Sequence, residues 1–170
     1  TYQWDWGSVG IIKDNPKWGY GYNGTAILSG QTPSYTHIYF KANPVKWFSF
    51  NYMHAWLVSE VLDSSASYVY TNTYGTDRRD VLQNKYLAAN MFTFSPWSNT
   101  DISFGNSVIY SLENIHPAYL IPLMFYKSID HTLNSTDQSG RNVGQNSQMF
   151  FALSVRELKH VHVYTSFFLD

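Results

Sequence analysis

Residues 47–58 alternate as a strand does, with a strong contrast between two faces. Phe48, Phe50, Tyr52, His54, Trp56 and Val58 fall on one side, and Trp47, Ser49, Asn51, Met53, Ala55 and Leu57 on the other. A period of two sends successive side chains to opposite faces of a sheet. The pattern returns twice. Met149, Phe151, Leu153 and Val155 alternate with Gln148, Phe150, Ala152, Ser154 and Arg156, and Ile102, Phe104 and Val108 alternate with Asp101, Ser103, Gly105 and Ser107. A large apolar face opposite a small polar one fits a soluble antiparallel sheet with one buried side. It also fits a barrel wall with lipid outside and a wet lumen inside.

Composition weighs between the two. Aromatic residues make up 18% of the chain and charged residues only 14%, whereas an ordinary soluble domain carries about a quarter charged residues. So few charges cover an aqueous surface poorly, and a lipid-facing wall needs no such cover. The longest apolar stretch, residues 118–126, is interrupted by Pro122 and is well short of the roughly 20 residues of a spanning helix. A membrane crossing by this chain must therefore use strands.

The connections point the same way. Strands are predicted at residues 2–12, 35–42, 46–58, 84–95, 101–110, 146–157 and 161–170. Between them the connections run long (13–34), short (43–45), long (59–83), short (96–100), long (111–145) and short (158–160). Outer-membrane barrels carry short periplasmic turns and long external loops, while connections above about 12–15 residues are uncommon in compact domains. Residues 84–95 fit least well, because Leu87, Met91, Phe92 and Phe94 do not separate cleanly onto two faces. A closed barrel takes at least about eight strands. The expected fold is thus all-β: an antiparallel transmembrane β-barrel, one domain over residues 1–170, incomplete at both ends and part of a larger barrel. Long extracellular loops and a short helix near residues 119–129 complete it. Phe50, Tyr52, Phe151, Leu153 and Val155 are expected to face lipid, and Trp47, Phe150 and Arg156 the lumen.

Other classes are set aside by what is missing. The formal net charge is −1, and Arg78 and Arg79 are flanked by Asp77 and Asp80, so the clustered positive field that phosphate binding needs is lacking. With Cys 0, disulfide frameworks and thiolate chemistry are excluded. No serine sits in a nucleophile-elbow pattern, and no catalytic constellation emerges, so neither an enzyme nor a cofactor is expected.

Several blocks resemble a known family. PKWGYGYNGTAILSG (residues 16–30) is similar to a tryptophan-glycine loop followed by a short apolar stretch. FSFNYMHAWLVSE (48–60) and NKYLAANMFTFSPW (84–97) are similar to consecutive strands of the same family. NSVIYS (106–111) and ENIHPAYLIPLMFYKSIDH (113–131) complete the match, whose most specific piece is the run Pro122 to Ser128 with Asp130 and His131 after it. Together they resemble the Wzi-like capsule-assembly family in its Bacteroidetes branch, related to gliding-motility outer-membrane proteins. The resemblance covers residues 16–170 and implies a bacterial outer-membrane barrel, larger than this chain, that holds capsular polysaccharide at the cell surface. It implies as partners the lipid bilayer, a surface polysaccharide and other outer-membrane proteins.

Two groups of side chains are candidates for ligand contact. Trp18, Tyr20 and Tyr22 lie on a glycine-spaced loop, where flat rings suit stacking on sugars; anchoring in an interfacial aromatic belt is the plainer role. Glu113, His116, Tyr126, Asp130 and His131 form the chemically richest cluster, with Tyr126 and Asp130 on one face of the expected helix. They suit hydrogen bonds to a glycan, or simply hold a loop inside the lumen. Glu113 and His116 are three apart without the second histidine of a zinc motif, so no metal is expected. A passive porin or transporter, and a secreted carbohydrate-binding β-sandwich, remain alternatives.

Overall fold

The computed structural model describes residues 1–111, 115–129 and 146–169. Its strands are β1 (Tyr2–Trp4), β2 (Gly7–Asp14), β3 (Lys17–Trp18), β4 (Leu28–Ser29), β5 (Tyr35–Val45) and β6 (Phe48–Leu57). They continue with β7 (Tyr68–Asn72), β8 (Gly75–Arg79), β9 (Lys85–Trp97), β10 (Thr100–Tyr110), β11 (Asn146–Val155) and β12 (Val163–Leu169). Eight of them form one sheet in the order β1-β2-β5-β6-β9-β10-β11-β12, while β3-β4 and β7-β8 are separate hairpins. Every pairing is antiparallel and follows chain order. Among the described residues the sheet does not close on itself: β1 and β12 are its two edges.

Residues 2–12, expected as one strand, divide at a two-residue turn, Asp5–Trp6. Gly7 lets the chain fold back there, since a Cβ on it would lie 2.6 Å from the Trp4 ring. The division supplies an eighth strand and a short turn ahead of the first long connection. Short and long connections then alternate throughout the sheet, and the β3-β4 hairpin leaves that order intact because it pairs only with itself. All the short turns thus lie at one end of the sheet and all the long connections at the other. Pro44 falls between Ala42 and Val45, where the ladder to β6 shifts register, as a residue without an N–H requires.

Register assigns the faces. One row runs Ala42, Phe50, Phe92, Phe104, Phe151, Phe167 across β5 to β12. The next row towards the short turns runs Phe48, Phe94, Ile102, Leu153, Thr165. This aromatic face carries charge in its strands only at Lys13, near the long-loop end, whereas the opposite, polar face carries Asp14, Lys41, Lys85 and Asp101. Rings meet in tilted and stacked pairs along the aromatic face, with Phe94 and Phe104 5.8 Å apart and only 8° from parallel. Three short turns carry a tryptophan: Trp6 and Trp47 within them and Trp97 just before one. All three are more than half exposed.

In the long-loop half, both faces are covered. On the aromatic face, Tyr52, Tyr86, Ala88, Val108 and Tyr110 pack under Tyr119 and Tyr126 of residues 115–129. On the polar face, Met53, Ala55, Leu87 and Ala89 pack under Trp18 and Leu28 of the β3-β4 hairpin. This double cover explains why residues 84–95 read poorly as a strand. The faces of β9 do separate, but Leu87 is apolar on the polar side because a hairpin buries it. It also corrects the expected lipid contacts. Phe50 and Tyr52 are buried, Tyr52 beneath residues 115–129, while Phe151 shares their face and is exposed. Of the expected lumen residues, Trp47 instead stacks on Phe94 of the aromatic face. Phe150 lies flat over Gly105, where a Cβ would come within 2.7 Å of its ring.

Candidate functional site

The Trp-Gly-Tyr-Gly-Tyr run, residues 18–22, crosses the polar face as a strap. Trp18 packs against Met53, Ala55, Leu87 and Ala89. Tyr20 reaches Ser103 of β10, hydroxyl to hydroxyl at 2.6 Å, and Ser103 in turn meets Thr93 of β9 at 2.7 Å. Tyr22 meets His162 Nδ1 at 2.8 Å, and His162 Nε2 meets Ser154 Oγ of β11 at 2.9 Å. Three alternate rings therefore land on successively later strands. Their anchor points also move from the long-loop half towards the short turns, since Ser103 and Ser154 lie near the turn ends of β10 and β11.

The glycines between the rings face the other way. A Cβ on Gly21 would lie 2.0 Å from the Gly24 carbonyl oxygen, and one on Gly19 would lie 2.9 Å from Thr25 while φ there is +117°. The spacing is thus a packing device: rings face the sheet and bare backbone faces the returning chain. The expected exposed stacking loop is corrected accordingly. Trp18 and Tyr20 are half-buried against the sheet, and of the three only Tyr22, 69% exposed, keeps an open ring. Burial raises the Tyr20 pKa above the ordinary phenol value.

The Tyr22–His162–Ser154 chain has the outline of a nucleophile relay, but its chemistry is that of a tether. Ser154 Oγ belongs to a fully buried residue flanked by β10 and β12, out of reach of a substrate carbonyl. The third member is a phenol rather than the carboxylate that stabilises an imidazolium. Sequence reading passed over His162 and Ser154 because 140 residues separate Tyr22 from His162.

On the aromatic face, residues 115–129 form a cap. His116 accepts the Ala118 N–H at the start of the 3-10 turn Pro117–Leu120, an N-cap role. Tyr126 is fully buried in the core, its hydroxyl without a partner among the described residues, and burial raises its pKa. Two asparagines hold the cap. Asn90 Nδ2 donates to the carbonyls of Pro122 (2.9 Å) and Met124 (3.0 Å), and its Oδ1 accepts from Asn106 Nδ2 at 2.9 Å. Asn106 Oδ1 accepts the Tyr126 N–H at 3.0 Å, and Tyr52 donates its hydroxyl to the Tyr119 carbonyl at 3.0 Å. The expected helix over 119–129 is instead the 3-10 turn, a bend, and helical backbone resuming at 126–129.

The described members of the two candidate groups therefore lie on opposite faces of the sheet. His116 and Tyr126 are joined through Tyr119, 5.6 and 5.9 Å from them between ring centres, as structural members of the cap. Glu113, Asp130 and His131 fall outside the described residues. Among the described residues there is no group of three His, Cys, Asp or Glu side chains placed to hold a metal. Two depressions of about 220 and 350 Å³ open near the short turns, and neither is lined by a strap or cap residue. Comparison with protein-family models, with curated proteins and with solved structures found no match.

Proposed function

We propose that the chain forms part of the wall of a bacterial outer-membrane β-barrel whose long-loop end holds exopolysaccharide at the cell surface or joins a surface assembly. The observation that carries the barrel is the aromatic face. Its strands, paired strictly in chain order, carry no charge on the short-turn half, and three of their four short turns bear a tryptophan. Lipid-facing walls are apolar between aromatic girdles, and short turns mark the periplasmic side. Unpaired sheet edges in lipid cost several kcal/mol per unsatisfied group, so β1 and β12 need further strands to pair with. The polysaccharide role rests on the resemblance to the Wzi-like family. The strap favours it over an open pore, because Trp18, Tyr20 and Tyr22 lie across the face that would line the lumen.

One observation favours a soluble sheet instead. The cap is bonded to Asn106, so it leaves the aromatic face of β10 bare only between the short turn and Phe104, roughly 10 Å of height for a strand rising about 3.4 Å per residue and tilted near 40°. A barrel's apolar band is about 25 Å tall, so the cap must rest at the outer interface. Phe104→Arg and Phe151→Arg in the full-length protein separate the readings. In a barrel each lowers stability by about 2–4 kcal/mol in folding into lipid vesicles. Release of the wild-type protein from membranes by carbonate, with both variants neutral, would establish the soluble sheet.

A further inference from the structure

The second long connection carries a hairpin whose two strands pair only with each other. Residues 61–63 and 81–83 continue the chain beyond β6 and β9 as a ribbon, through the Asp63–Val81 and Gln83–Val61 backbone bonds and the Leu62–Leu82 bridge. β7 and β8 extend it, and every residue of both is exposed. A two-stranded ribbon alone in water is marginal, so large exposed rings on it are costly unless something covers them.

Those rings are ordered by register. Tyr68 pairs across the hairpin with Arg79, and Tyr70 with Asp77, so the four share one face. The Tyr68 and Tyr70 rings lie 6.2 Å apart at 58°, a shallow aromatic trough, and Tyr70 donates its hydroxyl to Asp77 Oδ2 at 3.3 Å. Arg78 is paired with Asp80 at 2.7 Å on the opposite face, while Arg79 makes no ion pair among the described residues. A free guanidinium and a carboxylate, donor and acceptor, thus flank two stacking rings.

From this geometry we infer that the Tyr68–Tyr70–Asp77–Arg79 face is a binding site for a neutral, hydroxyl-rich polysaccharide. The inference rests on the surface-glycan reading above and gives it a location. Flat rings take the apolar faces of sugars, and Arg79 and Asp77 match hydroxyls acting as acceptor and donor. Charge selects the neutral class. Residues 59–83 hold Glu60, Asp63, Asp77 and Asp80 against Arg78 and Arg79, two net negative charges, which repel a polyanion.

Full-length protein in detergent micelles is titrated with dextran and galactomannan as neutral probes and polygalacturonate as the acidic one. A neutral probe binds, and Tyr68→Ala with Tyr70→Ala weakens binding about 25-fold, about fivefold for each ring. The Tyr68→Phe, Tyr70→Phe pair keeps the stacking surface and binds within a few-fold of wild type. Preference for polygalacturonate, absence of binding by either neutral probe, or an alanine pair binding like wild type overturns the site. In cells the two readings part. If deleting the protein leaves the polysaccharide attached, the glycan-holding function falls. If deletion releases it while the alanine pair retains it, only the hairpin site falls.

Discussion

Asn90→Ala tests whether the cap is held by a buried polar network. Asn90 is fully buried, and truncation removes its bonds to the Pro122 and Met124 carbonyls and to the Asn106 amide. Each bond contributes about 1 kcal/mol net, and each partner stranded without water costs about 1–3 kcal/mol more. Relaxation lets the two loop carbonyls find solvent, so the expected loss is about 3–4 kcal/mol rather than the full sum. The β9 ladder is made by backbone groups and stays intact, so the loss falls on the cap. Hydrogen exchange of the full-length protein should show the Tyr119 and Tyr126 amides losing protection by a factor of hundreds, with β9 and β10 amides unchanged. Asn106→Ala should do much the same, and the double variant should fall short of the sum because both residues serve one network. Unchanged protection at Tyr119 and Tyr126 would refute the reasoning; so would strict additivity.

Gly21→Ala should detach the strap, since its Cβ would enter the Gly24 carbonyl; Tyr22 then becomes open to proteolysis, and a strap that stays protected would count against its placement. Tyr126→Phe removes a buried hydroxyl that has no partner among the described residues, so its urea midpoint should equal or exceed wild type. Burial raises the Tyr20 and Tyr126 pKa values above the unfolded value of about 10. Protons are then held more tightly in the folded state, so their contribution is whole below pH 10 and lost as pH rises past it. Urea midpoints at pH 9 and 11 should lie closer together in the Tyr20→Phe, Tyr126→Phe pair than in wild type, and an unchanged gap would refute the assignment. An epitope tag beside Gly75 should label intact cells and one between Ser98 and Asn99 should not; the reverse would invert the orientation.

Much of the sheet was legible in the order of residues, because alternation is a local property of a strand. Residues 47–58 and 146–157 showed their two faces without help, and the long and short connections announced a next-neighbour meander. The turn at Asp5–Trp6 was not legible, because its two residues interrupt a run that alternates on both sides. Residues 84–95 were legible as a strand but their faces were not, for a different reason: periodicity reports burial, and burial of Leu87 depends on a hairpin about sixty residues earlier in the chain.

The candidate site divides along the same line. Residue chemistry alone singled out Trp18, Tyr20, Tyr22, His116 and Tyr126; four of them pack or bond against distant parts of the chain, while His116 caps its own 3-10 turn. What each touches was decided by tertiary structure. Tyr20 meets Ser103 across 83 residues and Tyr22 meets His162 across 140. The strap and the cap went to opposite faces because a short turn or a long connection determines only the end of a sheet at which a loop emerges. The face on which it lies down depends on the partners waiting there: serine and threonine hydroxyls on one side, paired asparagine amides on the other.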